Sequence, residues 1–213
     1  ITQGNEIVPM IQKREGVKRG ENVTFGNFSV MEEFNDTILG LQWMTLRGPA
    51  TDLYSLTETP GYLTLKCATK SSKERVVPAM VCRRLQHHQF EAETRMYFNP
   101  QCVDEKAGLL LFKDEFHQYF MAVAESEAGR TVSLIQIGRE EDSVLACEKV
   151  SSESTCFDLK VVSTTGLTFD FLYSVNGGKT WNKLCEKVDA GYLSTAVAGG
   201  FTGTTIALYA TRK

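Results

Sequence analysis

From Phe90 to Phe98 the side chains change character at almost every step: Phe90, Ala92, Met96 and Phe98 are apolar, while Glu91, Glu93, Arg95 and Tyr97 stand between them. A period of two is the mark of an extended strand with one face in a core and the other in solvent or on a ligand. Leu167, Phe169, Phe171, Tyr173 and Val175 repeat the pattern, and Thr131, Ser133, Ile135 and Ile137 repeat it more weakly. A half-apolar sheet must bury that face against a second layer, which predicts two facing antiparallel sheets. Further strands are expected at 41–47, 61–67, 75–84, 107–112, 117–124, 143–150, 156–163, 180–185 and 203–211. No window keeps a helical stripe, and no repeat of roughly 40–50 residues marks a propeller. The fold class is therefore all-β, a two-sheet antiparallel β-sandwich of jelly-roll type.

The 213 residues fit one such domain, since single all-β domains often run to roughly 200–250 residues. A net charge of −3 supplies no basic field for a phosphate backbone, so nucleic acid is not an expected partner. No run reaches the roughly 18 apolar residues of a membrane span, and no membrane partner is expected. Residues 1–30 are polar and basic with scattered glycines and read as a linker or lead-in arm before a domain at 31–213. Ile1-Thr2-Gln3-Gly4 has neither an initiator Met nor the apolar stretch of a signal peptide, as expected of a processed leader or a fragment. The six cysteines show no CxxC spacing and read as small buried hydrophobes. Sequons at Asn22, Asn27 and Asn35 would matter only in a eukaryotic secretory pathway.

Glu91 and Glu93 share one strand face, where their carboxyls would lie roughly 6–8 Å apart, near the spacing of an inverting glycosidase pair. Arg95 on the same face can equally neutralise them, which makes a solvated face the competing reading. Asp114-Glu115 before His117 reads as a loop, and the adjacent His87-His88 cannot both ligate a metal from one strand face. Ser174-Val175-Asn176-Gly177-Gly178-Lys179-Thr180-Trp181 matches the Asp-box hairpin, with Asn in place of Asp, and reads as a folding turn. Sugar recognition uses aromatic faces with a few polar neighbours; Trp43, Tyr54, Tyr97, Tyr119 and Trp181 are candidates, with Arg47 and the Glu91, Glu93, Arg95 face beside them.

Several segments follow one another in a telling order. They are Glu33-Phe34-Asn35-Asp36, Leu41 to Arg47, Tyr54 to Leu65 with its Ser-Leu-Thr-x-x-Pro-Gly-x-Leu core, Cys82-Arg83-Arg84 with Phe90 to Thr94, Ala107-Gly108-Leu109, Tyr173 to Trp181, and Gly199 to Gly203. In that order they resemble the C-terminal concanavalin A-like sandwich that follows the five-bladed propeller in glycoside hydrolase family 43 β-xylosidases and α-L-arabinofuranosidases.

The resemblance implies that the base, acid and modulating carboxylate lie in an upstream catalytic propeller, with this sandwich as its support. It implies inverting hydrolysis of xylosidic or arabinosidic bonds by the whole enzyme, with xylan- or arabinan-type carbohydrate as partner, in the periplasm or outside the cell. In some members a loop aromatic closes the substrate pocket; the family's Gly-Gly-Phe-Phe-Thr-Gly loop has one Phe fewer here, Phe201. Glu33 and Asp36 would supply the first half of a structural calcium site, whose other half comes from a last strand that this sequence does not contain. Two alternatives stand beside this reading: a free-standing carbohydrate-binding module, and a self-sufficient glycosidase using Glu91 and Glu93.

Overall fold

The computed structural model describes residues 27–213 apart from Ala128, together with the backbone ladder of β1 (Thr2–Gln3) and β2 (Glu6–Ile7). The chain divides into two compact units, Ile1–Glu33 and Phe34–Lys213. Most of the expected arm, including its basic stretch at 13–20 and the sequon at Asn22, lies outside the described residues.

The second unit is built from thirteen strands: β3 (Met44–Thr45), β4 (Tyr54–Ser55), β5 (Thr64–Leu65), β6 (Ala79–Arg84), β7 (Phe90–Tyr97), β8 (Glu105–Asp114), β9 (His117–Ser126), β10 (Gly129–Ile137), β11 (Asp142–Lys149), β12 (Cys156–Ser163), β13 (Thr168–Ser174), β14 (Asn182–Asp189) and β15 (Thr205–Arg212). A seven-stranded sheet runs β11-β10-β9-β8-β15-β6-β3, and a four-stranded sheet runs β14-β13-β12-β7. All named strand pairs within them are antiparallel. The expected two-sheet sandwich is the observed fold.

The core lies between the sheets. Leu109, Leu111, Tyr119 and Met121 of the larger sheet meet Phe157, Leu159, Phe169 and Phe171 of the smaller one. Phe157 and Phe171 are fully buried, each worth about 1.5–3 kcal/mol in area removed from water. A second cluster occupies the opposite face of the larger sheet, where Met44 and Leu46 pack over Met80, Leu110, Phe112, Phe120 and Tyr209. Ser72 fastens this covering segment, its hydroxyl donating to Gln118 Oε1 at 2.7 Å and its N–H to the Tyr209 hydroxyl at 3.0 Å. With both faces buried, β8 is continuously apolar from Ala107 to Phe112 instead of alternating.

Several expected elements differ. The strands expected at 41–47 and 61–67 shrink to β3 and β5, because Arg47 turns with φ 64° ahead of Gly48-Pro49, and Pro60-Gly61 forms a turn with φ 80° at Gly61. The strand expected from 75 begins at Ala79, since Pro78 has no N–H for a ladder. Leu167 and Val175 lie beyond the ends of β13 and are exposed, whereas Phe169, Phe171 and Tyr173 between them are buried. On β10 the residues facing the second sheet are Val132 and Leu134; Ile135 and Ile137 belong to the opposite cluster. Two short helical turns, Ala190–Leu193 and α1 (Thr195–Ala198), had no expected counterpart, being shorter than any helical period. Among the described residues no helix is long and apolar enough to cross a membrane.

Candidate functional site

On β7 the alternation holds throughout, with Phe90, Ala92, Thr94 and Met96 half-buried and Glu91, Glu93, Arg95 and Tyr97 exposed. The register with β12 sets Glu93 opposite Lys160, Arg95 opposite Asp158 and Tyr97 opposite Cys156. Lys160 reaches both carboxylates, at 2.9 Å to Glu91 and 3.0 Å to Glu93, and its ammonium stands 4.1 Å from the Trp181 ring centre. Desolvation opposes the charge on Lys160, but hydrogen bonds to Glu91 and Glu93 outweigh it and hold the ammonium above its ordinary pKa. One cation thus ties the two carboxylates together on the strand face. Beside them, Arg95 Nε donates to Asp158 Oδ1 at 2.7 Å, while the buried Asp158 Oδ2 has no hydrogen-bond partner among the described residues.

The Asp-box hairpin closes one end of this face. Asn176 accepts from Ser174 Oγ at 2.9 Å and from the Thr180 N–H at 3.1 Å, and its amide donates to Thr180 Oγ1 at 2.8 Å. Gly177 and Gly178 take φ of 74° and 75°, which L side chains rarely adopt. The hairpin thereby brings Trp181 over Lys160. Tyr97 meets Tyr62 edge to face at 5.6 Å, and both rings are exposed.

Trp43, Arg47 and Tyr54 do not join that face. Trp43 packs on Phe34 at 5.5 Å and lies 5.8 Å from the Arg83 guanidinium. Arg47 donates to the carbonyls of Glu74 and Val76 at 2.9 and 3.0 Å and to Glu115 at 2.7 Å, a clamp on its own positive-φ turn. Tyr54 sits in the two-residue β4-β5 ladder opposite Leu65. Tyr119 is a core residue whose hydroxyl donates to the Asp189 carbonyl at 2.9 Å. Asp114 caps the β8-β9 turn by accepting from the Phe116 N–H at 2.8 Å and pairing with His117 Nδ1 at 2.8 Å.

Phe201 is on the loop between α1 and β15. The Asp189 carboxylate accepts from the Gly191 N–H at 2.8 Å to start the helical turn, Tyr192 lies within 2.8 Å of the Phe116 and Ile137 carbonyls, and Leu193 is buried. Gly199 and Gly200, with φ of 72° and 70°, then lift Phe201 clear of the surface, where it is 108% exposed. The buried Lys113, which the strand pattern of 107–112 stops short of, reaches this loop and donates to the Thr202 carbonyl.

Among the described residues no group of three or more His, Cys, Asp or Glu side chains converges to hold a metal. Glu33 belongs to the first unit and Asp36 to the second. Their carboxylates offer at most four oxygens where calcium takes about 6–8, so these two residues do not by themselves fit that ion.

Residues 31–213 match the family described as the Beta xylosidase C-terminal Concanavalin A-like domain. The chain is 25% identical over 181 residues to a non-reducing end α-L-arabinofuranosidase of Bacteroides ovatus, covering 85% of this chain and 33% of that protein. A xylan β-1,4-xylosidase structure from Bacillus halodurans superposes with a TM-score of 0.80 at 25% identity, over 88% of this chain and 37% of that one. A glycoside hydrolase family 43 protein from Bacillus licheniformis gives 0.76 at 28% identity, over 84% and 35%. The chain thus spans about a third of the length of these relatives. With a matching two-sheet sandwich and a family match over 31–213, it belongs to the C-terminal concanavalin A-like domain family of the β-xylosidases.

Proposed function

We propose that this chain is the supporting sandwich of a family 43 glycoside hydrolase, working beside a catalytic propeller on xylan- or arabinan-type carbohydrate. The observation that carries the reading is the engagement of the carboxylate pair: Lys160 lies 2.9 Å from Glu91 and 3.0 Å from Glu93 and ties both into one ion-paired cluster, so neither carboxylate stands free over the strand face. Its span of about a third of its relatives leaves room for the catalytic carboxylates elsewhere in the whole protein. Such polymers lie outside the cell, which favours a periplasmic or extracellular site of action.

Phe201 is the group in this chain that reaches toward the substrate. A bare ring on a double-glycine loop packs against none of the described residues of its own domain, and covering it with the C–H face of a pentose would contribute about 25 cal/mol for each Å² of apolar surface removed from water. In the protein carrying both domains, F201A is expected to raise KM for aryl pentosides about tenfold with a smaller change in kcat. An unchanged KM overturns the role of Phe201. Tyr97 and Tyr62 favour a second reading, a sugar-binding face on the smaller sheet. Retention of the chain on insoluble xylan, lost in Y97A, would select it; passage through unretained would sink it.

A further inference from the structure

Lys113 is a lysine buried at the end of a core strand, and among the described residues no carboxylate pairs with it. It extends the row of Leu109 and Leu111 on β8, so its stem continues the apolar inner face while its ammonium emerges at the end of the sandwich. It is 4% exposed. Among the described residues it donates hydrogen bonds to the Thr202 carbonyl and to Thr195 Oγ1, the latter at 3.4 Å. Those two residues are the two sides of one loop: Thr195 opens α1, and Thr202 directly follows Phe201. Between them, Gly199 and Gly200 lack side chains that could hold the chain, and a Cβ at either would meet nothing within 4 Å. Beyond Thr202 the loop is anchored again where Thr204 donates to the Leu193 carbonyl at 3.3 Å and its own carbonyl accepts from Leu85 at 3.0 Å.

We infer that Lys113 is a positioning residue for the aromatic of this loop, clasping its two sides so that Phe201 projects in one orientation. This rests on the role proposed above for Phe201. A buried cation is tolerated only where fixed dipoles replace its water, and here a loop carbonyl and a hydroxyl supply them, which couples the solvation of the lysine to the closed shape of the loop. Without the ammonium, the two glycines leave the loop many conformations, and the ring spends less time where a sugar would meet it.

The test uses the protein that carries both domains, with K113M, K113R, F201A and the double variant. Methionine keeps the apolar stem at nearly the same length, so K113M is expected to fold. Misplacing one contact group can cost up to about a hundredfold, and partial release here is expected to raise KM for an aryl pentoside roughly three- to tenfold, kcat changing less. K113R, which still donates, should recover part of the loss. In the F201A background K113M should raise KM no further, because the lysine acts through the ring. An equal loss with and without Phe201 overturns the inference. Amide hydrogen exchange supplies a readout independent of activity: residues 195–204 should exchange faster in K113M while β8 and β15 keep their protection. Unchanged exchange in the loop also overturns it. If F201A alone leaves KM unchanged, the pocket role and the positioning role fall together, while the exchange data still report whether the clasp exists.

Discussion

Lys160 shows how a single residue decides the chemistry of a face. The period of β7 made it legible that Glu91, Glu93, Arg95 and Tyr97 project together, and the structure keeps them together. What the sequence did not disclose is the cation between the carboxylates, because it arrives through a β7-β12 register that joins positions more than sixty residues apart. The indole over it was equally hidden, since Trp181 reaches Lys160 through the Asp-box hairpin. Exposed ion pairs contribute about 0.2–1 kcal/mol each, and a cation over an indole adds about 0.5–1 kcal/mol. K160M should therefore lower stability by about 1–2 kcal/mol in low salt, with the difference from the parent shrinking at 1 M salt, where the Debye length falls to about 3 Å. Urea titrations at the two salt concentrations measure this; equal midpoints for both proteins at low salt would show that the cluster contributes nothing.

Among the elements, legibility followed burial geometry. β7 and β13, half-buried on one side, alternate and were readable, as was the full extent of β12. β10 was misjudged in its facing: Met44 and Leu46 cover the outer side of the larger sheet, so Ile135 and Ile137 are apolar without facing the smaller one. The clasp was missed for a related reason, because Lys113 continues an apolar strand and no local pattern distinguishes a buried lysine from a strand-ending one. Gly108 belongs to this scale too. A Cβ there would stand 2.0 Å from the Met121 carbonyl oxygen, so the glycine permits the close approach of β8 and β9 in the middle of the sheet. Backbone cannot yield as a side chain can, and G108A is expected to cost more than about 3 kcal/mol or to prevent folding. A loss under about 1 kcal/mol by chemical denaturation would mean that the sheet relaxes around the methyl group.

At the scale of the whole second unit, both faces of the larger sheet carry a buried apolar cluster. The inner cluster ties β8, β9 and β10 to the smaller sheet, and the outer cluster ties the covering segment to those same strands. Opening either cluster would expose apolar side chains of strands buried on both faces, so neither cluster is expected to melt alone. The two tryptophans report on opposite sides of the fold: Trp43 immediately precedes edge strand β3, whose Met44 packs on the outer cluster, and Trp181 follows the hairpin that serves the outer face of the smaller sheet. W181F and W43F each leave one reporter. If the two clusters form a single cooperative unit, the fluorescence transitions of the two variants, each compared with its own circular dichroism, should coincide in urea. An earlier transition for Trp43 alone would show instead that the covering segment detaches first and that the outer cluster, held by Met44, Leu46 and the Ser72 hydrogen bonds, is the weaker of the two. Coincidence would locate the stability of the fold in the shared sheet, whose strand β8 also carries Lys113 to the base of the Phe201 loop.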